Sequence, residues 1–252
     1  MTVRCEHGSL PVPDSGLLDV GDDEGGQRYK KQLSLLQHFG LRPNSNMLEI
    51  GCGLGGLAYE LASFLDLDGR YTGVDISPEA VTWLRANYAP RLRGFRFDLL
   101  DVHNPRYRPS DGIEPELVRF PYPDASFDSV CAFEVFMHVP LAGVRNYLRE
   151  VRRVLRAGGV AILTFQAIWE CEEEPTLFGR PFVHIGGGVH TRYPEEPGMS
   201  MAYRVGLLRE LIDVTDLELI AEIEGLWHSP WDPRPPGAPI HNCDVFGVRR
   251  PS

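Results

Sequence analysis

The chain is predicted to be an α/β protein: a Rossmann-like, doubly wound, mostly parallel sheet of seven strands with an antiparallel C-terminal strand. Three observations carry that prediction. Short apolar runs alternate with stretches of helical spacing between residues 27 and 165, the pattern of βα units that cover both faces of a sheet. The run Met47-Leu48-Glu49-Ile50 breaks into the cluster Gly51-Cys52-Gly53-Leu54-Gly55-Gly56, and the next apolar run ends at Val74-Asp75. The last two apolar runs, 217–227 and 243–248, have no helical stretch between them. Neighbours without a crossover pair antiparallel.

Each element has its own signal. Residues 1–25 hold Pro11, Pro13, Gly16 and the acidic run Asp22-Asp23-Glu24 without any period, and read as a flexible N-terminal arm or lid. Residues 26–252 read as a single domain. Tyr29, Leu33 and Leu36 recur at helical spacing over 27–39, and Gly40 ends that helix. Strand one spans 46–50, with a helix after it to Phe64. Strand two spans 71–75. Ser77 is the N-cap and Pro78 the first residue of a helix reaching about Tyr88. Strand three is 95–100, and the Pro-, Arg- and Asp-rich span 103–120 is irregular. Strand four is 126–133. A helix over 141–155 ends in Arg152, Arg153 and Arg156 and is stopped by Gly158-Gly159. Strand five is 160–165. A loop-rich, substrate-covering insertion follows at about 167–202, centred on Gly186-Gly187-Gly188. A helix over 203–211 and the two final strands complete the domain, those strands being separated by the Pro-rich segment 229–239.

Composition narrows the function. At 252 residues with 43% hydrophobic and 24% charged content, the chain can bury a full core. A net charge of −10 argues against a nucleic-acid groove. No apolar run is long enough to span a bilayer and no signal pattern opens the chain, so a cytoplasmic location is expected. Cys5, Cys52, Cys131, Cys171 and Cys243 are odd in number and never spaced C-x-x-C, as for reduced thiols rather than a disulfide or zinc framework.

The glycine cluster carries the chemistry. Gly51 and Gly53 allow positive φ and close approach of backbone to a ligand, and the helix that follows aims unpaired N–H groups over the turn. Asp75 lies where such units place a carboxylate on a ribose diol. An adenosine-type cofactor is therefore expected. Glu49 would repel a pyrophosphate but suits a cationic sulfonium and an α-amino group, which favours S-adenosylmethionine over NAD. The antiparallel final strand, unusual for a dinucleotide dehydrogenase, points the same way.

The chain resembles the class I S-adenosylmethionine-dependent methyltransferases from about Gly25 to Arg250. The resemblance is carried by Leu48-Glu49-Ile50-Gly51-Cys52-Gly53, Val74-Asp75-Ile76, Leu100-Asp101-Val102, the stretch from Phe120 to Asp128, and Leu155-Arg156-Ala157-Gly158-Gly159. The segment Asp101-Val102-His103-Asn104-Pro105-Arg106-Tyr107 is similar to a bacterial subgroup acting mainly on small molecules and sugars. The resemblance implies that Glu49 and the backbone of Gly51, Cys52 and Gly53 hold the methionine moiety. It further implies that Asp75 binds the ribose, Ile76 packs on adenine, and Asp101 accepts from the adenine amino group with Val102 nearby. Asp98 offers a competing register for Asp101. Cys52 also fits as a small residue in a crowded turn.

Beyond strand four, Phe133-Glu134-Val135-Phe136-Met137-His138 falls at the methyl-transfer point. His138 is the candidate general base; the alternative is a residue that packs at a helix start or lines the pocket. Glu134 is a second candidate base, an acceptor anchor, or a partner of the cofactor amino group. In the insertion, His184, His190, Arg192, Tyr193 and Tyr203 are candidate acceptor contacts, against a loop that only covers the core. No carboxylate is in phase with the two histidines, so no metal is expected. His228, His241 and Asp244 form a weaker second pool, and Trp227 and Trp231 read as pocket wall or oligomer contact. The expected partner is a small hydroxylated acceptor, preferably a sugar or glycosylated natural product. No nucleic acid or membrane partner is expected, and a homodimer stays open. The expected reaction is O-methylation. The alternatives are a small-molecule N-methyltransferase, a non-catalytic adenosylmethionine-binding protein, or an NAD-type oxidoreductase.

Overall fold

The structure is a computed structural model that describes residues 10–11, 27–110, 112–169, 176–177, 180–228 and 242–252. The expected N-terminal arm, apart from Leu10 and Pro11, lies outside the described residues. So do Cys5, Cys171, Trp231, His241 and the Pro-rich segment 229–239.

In chain order the first half holds α1 (Gln27–His38), β1 (Asn46–Ile50), α2 (Gly56–Phe64), β2 (Arg70–Asp75), α3 (Pro78–Asn87), β3 (Phe95–Leu99) and β4 (Phe127–Ala132). Then come α4 (Leu141–Val154), β5 (Leu155–Phe165), β6 (Ala167–Ile168), β7 (Thr176–Leu177), β8 (Arg180–Pro181), β9 (Val183–Gly186) and β10 (Val189–Thr191). The described elements end with β11 (Met201–Arg204), α5 (Val205–Asp213), β12 (Glu218–Ile223) and β13 (Asp244–Arg249). The main sheet has seven strands in the order β12-β13-β5-β4-β1-β2-β3. Its strands run parallel except β13, which is antiparallel to both β5 and β12. The winding reverses between β1 and β4, so a crevice opens beyond their carboxyl ends.

Side-chain alternation explains the two covered faces. Leu48 and Ile50 of β1, Val130 and Ala132 of β4, and Leu163 and Phe165 of β5 enter one core. That face is closed by Val144, Leu148 and Val151 of α4 and by Leu208 and Leu211 of α5. Met47, Cys131, Ile162 and Val245 face the other way, against Leu35 and Leu36 of α1, Leu57 and Leu61 of α2, and Leu84 of α3. Leu10 is buried in this second core. At α3, the Ser77 hydroxyl accepts from the Ala80 N–H at 3.2 Å, the expected cap.

The insertion departs from the sequence reading. It is not loop but a small sheet of order β6-β11-β10-β9, with β7 and β8 as a separate pair. Strands of two to four residues are too short to display a period. The three-glycine stretch is the hairpin between β9 and β10, with φ of 110°, 58° and 77°. The helix expected from residue 203 starts at Val205, because Tyr203 pairs with Ala167 inside this sheet. β5 begins at Leu155, directly after α4, so Gly158-Gly159 sits in the strand rather than stopping the helix.

Candidate functional site

The turn between β1 and α2 has the backbone that its glycines foretell: φ is 76° at Gly51 and 50° at Gly53. A Cβ on Gly51 would overlap Val135, and one on Gly56 would overlap the Tyr29 ring. The turn thus lies between the segment after β4 and the start of α1, with no room for larger residues at those two positions.

Asp75 ends β2 beside this turn. Its Oδ2 accepts the Gly53 N–H at 2.7 Å and its Oδ1 accepts the Ser77 N–H at 2.9 Å. Four acceptor sites exceed the donors present, so the carboxylate keeps a lone pair that can receive a hydroxyl. Burial pushes this carboxyl above its ordinary range, opposed by the N–H donors of Ser77, Gly53 and Ile76. Glu49 is buried and accepts from the Tyr71 hydroxyl. Burial pushes it up to about 8 despite that bond, and the Asp75 charge adds to the rise. Burial thus favours the neutral form of this carboxyl. Cys52 is buried behind the turn, where burial holds its thiol far above the normal range.

Ile76 is half-buried against the first core and Val102 is buried. Leu100 N–H donates to the Asp75 carbonyl at 2.9 Å, which sets Asp101 just past the strand edge. Asp101 is exposed and pairs with Arg108 at 2.7 Å. Asp98, the competing acid, is held by the Tyr122 hydroxyl at 2.9 Å and Arg96 Nε at 2.6 Å. Those contacts leave Asp101 as the acid at the carboxyl edge.

Beyond β4, Glu134 adopts φ 59°, an unusual backbone for a non-glycine residue that clusters at functional sites. Its N–H donates to Thr164 Oγ1 at 2.7 Å, and its carboxylate is ion-paired with Arg28. Burial pushes this carboxyl above its ordinary range and Arg28 opposes that rise. The pair joins α1 to the segment after β4, across the glycine turn. His138 closes a short 3-10 turn over 136–138. Its Nδ1 is buried without a hydrogen-bond partner. Burial lowers the imidazole to about 4, Arg106 and Arg192 push the same way, and the Gly198 and Met199 backbone opposes them. The ring is therefore held neutral across the physiological range.

The insertion residues separate into different surroundings. His190 and His184 are register partners on β10 and β9, with rings 4.8 Å apart. His190 is buried, and burial lowers its imidazole, with His184 and Arg204 adding to the drop. No group of three His, Cys, Asp or Glu side chains is arranged for a metal among the described residues. Arg192 Nε donates to Ser200 Oγ at 2.9 Å and lies 5.7 Å from the Tyr193 ring centroid. Tyr203 is fully buried, and its hydroxyl donates to the Val139 carbonyl. It ties the small sheet to the turn that carries His138. Asp244, fully buried at the start of β13, collects five donors. These are Ala167 N–H (2.8 Å), Gly225 N–H (3.0 Å), the indole N–H groups of Trp169 (3.1 Å) and Trp227, and His228 Nε2 (2.8 Å). Trp227 is thus part of the frame.

Sequence reasoning missed Arg28 and Tyr29, which carried only a helical signal, and Tyr71, whose partner Glu49 lies on the neighbouring strand. It quoted Asn104 without a role. The Asn104 carboxamide accepts from the Arg106 and Tyr107 N–H groups at 3.0 and 3.1 Å and donates to the His138 carbonyl at 2.9 Å.

A glycine turn and an acid-tipped second strand at the switch point of this sheet define an α/β protein built for an adenosyl cofactor. The model of the family described as "Methyltransferase domain" matches residues 48–163, from β1 into β5. A sterol 24-C-methyltransferase of Gibberella zeae is 26% identical over 216 residues, 82% of this chain and 52% of that protein. A 27-O-demethylrifamycin SV methyltransferase of Amycolatopsis mediterranei is 38% identical over 119 residues, 47% of this chain and 38% of that protein. The chain thus spans about half or less of these two relatives' length. The structure of a Burkholderia thailandensis 1,6-didemethyltoxoflavin-N1-methyltransferase with bound S-adenosylhomocysteine shares the fold. It has a TM-score of 0.53 and 18% identity, covering 93% of this chain and 82% of that one. The family match and these likenesses support a class I S-adenosylmethionine-dependent methyltransferase.

Proposed function

We propose that the protein methylates a hydroxyl of a small metabolite, a sugar or glycosylated natural product in first place, with S-adenosylmethionine as donor. The residues present fit that donor. The turn has positive φ where a ligand must approach, Asp75 retains a lone pair for the ribose, and Glu49 is a buried acid held by the Tyr71 hydroxyl. When bound, the donor supplies a methyl carbon activated by its sulfonium. Glu49 and Glu134 balance the cationic end, Asp75 and Asp101 fix the nucleoside, and Val135 keeps water from the turn. His138 takes the acceptor's proton as the oxygen–methyl bond forms. The single observation that carries the choice of a hydroxyl is the buried, unpartnered His138 Nδ1. One of the two nitrogens of a neutral imidazole is a proton acceptor. The relatives named above methylate carbon, oxygen and nitrogen by their descriptions, so the atom type rests on this histidine.

Two measurements test the donor. Adenosylhomocysteine should raise the melting temperature, by the equivalent of about 2.7 kcal/mol at ~100 times its Kd, while NAD and NADP leave it unchanged. A response to the nicotinamide cofactors alone would overturn the assignment. Asp75→Ala should weaken adenosylhomocysteine binding by about 1.5–3 kcal/mol, the range for hydrogen bonds to a charged group. Calorimetry that finds unchanged affinity in the folded variant removes the ribose role.

A further inference from the structure

The chain that follows β3 is pinned at two points that meet. Asp101 is fixed by its backbone. The Ile113 N–H donates to the Asp101 carbonyl at 2.9 Å, the His103 N–H to the Ile113 carbonyl at 3.0 Å, and the Val102 N–H to the Leu100 carbonyl at 2.9 Å. Arg108 is fixed in the same way, because Asn104 and Arg108 exchange backbone hydrogen bonds of 3.1 and 2.8 Å. The Asn104 carboxamide in turn binds the Arg106 and Tyr107 N–H groups and the His138 carbonyl. This turn folds Arg108 back to Asp101, where its Nη2 meets Asp101 Oδ1 at 2.7 Å.

The ion pair joins unequal partners. The Asp101 side chain is 60% exposed, whereas that of Arg108 is 19% exposed. The other terminal nitrogen of Arg108, Nη1, is buried without a hydrogen-bond partner. A pair with one partner in water contributes little to stability, and an orphaned buried donor opposes it. Stability therefore does not account for an arginine at this position. What the pair achieves is to hold a carboxylate that would otherwise rotate freely in solvent. Arg108 engages Oδ1 and leaves Oδ2, to which the described residues supply no donor. The neighbouring Val102 N–H is already engaged by the Leu100 carbonyl. An ionised carboxylate only accepts, so a held Oδ2 receives an amino group and rejects a carbonyl.

We infer that Arg108 is the positioning residue for adenine selectivity. It pins Asp101 Oδ1 so that Oδ2 faces the 6-amino group of the nucleoside, and it acts through Asp101 without touching the ligand. The inference rests on the nucleoside role proposed above for Asp101 and names what holds that acid in place.

Calorimetry on the full chain with S-adenosylhomocysteine and S-inosylhomocysteine tests it. The second ligand carries a carbonyl in place of the 6-amino group. The unaltered protein should bind the adenosyl ligand about tenfold or more tightly, a difference of ~1.4 kcal/mol. Arg108→Met keeps an apolar stem in the buried position and removes the orphaned donor, so the fold should survive. It should cut the adenosyl preference about fivefold or more, within the range for coupled neighbours. Arg108→Gln, uncharged and shorter, should do the same, so that either folded variant decides. Asp101→Ala should abolish the preference, and in that background Arg108→Met should cause no further loss of adenosyl affinity. An arginine with only a structural role would instead lower Tm and weaken both ligands equally. Equal binding by the unaltered protein, a full preference in a folded Arg108 variant, or a further loss in the double variant overturns the inference. A preference that survives Asp101→Ala removes the adenine role of Asp101 and the inference with it, and the two failures are thereby told apart.

Discussion

Asp244→Ala is expected to lower the unfolding free energy by about 3–5 kcal/mol, the cost of removing the buried group on which several buried donors converge. The carboxylate is fully buried and receives two backbone N–H groups, two indoles and an imidazole. Alanine would leave these donors facing a cavity that none of them can satisfy. For a chain of this size the change corresponds to a fall in Tm of roughly 6–20 °C, read by thermal denaturation. Asp244→Asn keeps one carbonyl oxygen and should recover part of the loss. A shift of under about 2 °C for the alanine variant would mean that the hub is not a stabilising centre.

The second large effect concerns catalysis. His138→Ala should lower kcat by about 10²–10⁴-fold, the usual contribution of a positioned base. Adenosylhomocysteine affinity should change little, because the role proposed for the imidazole is toward the acceptor. Burial disfavours the charged ring and sets it near 4, so protonation removes the base only in acid. The wild-type rate limb belonging to this group should therefore rise through about pH 4 and be flat across neutrality, and the variant should lose that limb. Glu134→Gln is the control. If it abolishes turnover while His138→Ala keeps full rate and the same profile, the base is Glu134 or none. A nitrogen or carbon nucleophile then becomes the better assignment.

Much of the frame was legible because its signals are local. The β1–turn–α2 unit shows apolar alternation, glycines where φ must be positive, and an acid at the end of the next strand. Each of these depends on residues close in sequence. The antiparallel end of the sheet followed from a missing helix. What escaped is tertiary. Arg28 meets Glu134 across 106 positions, and nothing near either residue announces the other. The left-handed backbone at Glu134 is imposed by its surroundings, since glutamate does not favour it. The shift at His138 comes from burial and from arginines on two other segments, which residue type alone cannot convey. The small sheet of the insertion stayed hidden because its strands are shorter than one full alternation pattern.

The position of β13 bears on how the chain is made. This strand is synthesised after β5 and β12 yet lies between them. Until residues 244–249 leave the ribosome, both neighbours present unpaired backbone edges, the kind of edge that recruits another chain. The donors that converge on Asp244 reach back to the Ala167 N–H, 77 positions earlier, so the base of the insertion also waits for this strand. A nascent chain stopped before Asp244 would hold the complete glycine turn and a split sheet, exposed to aggregation. Tags or fusions on the C-terminal side must therefore leave β13 free to enter that gap.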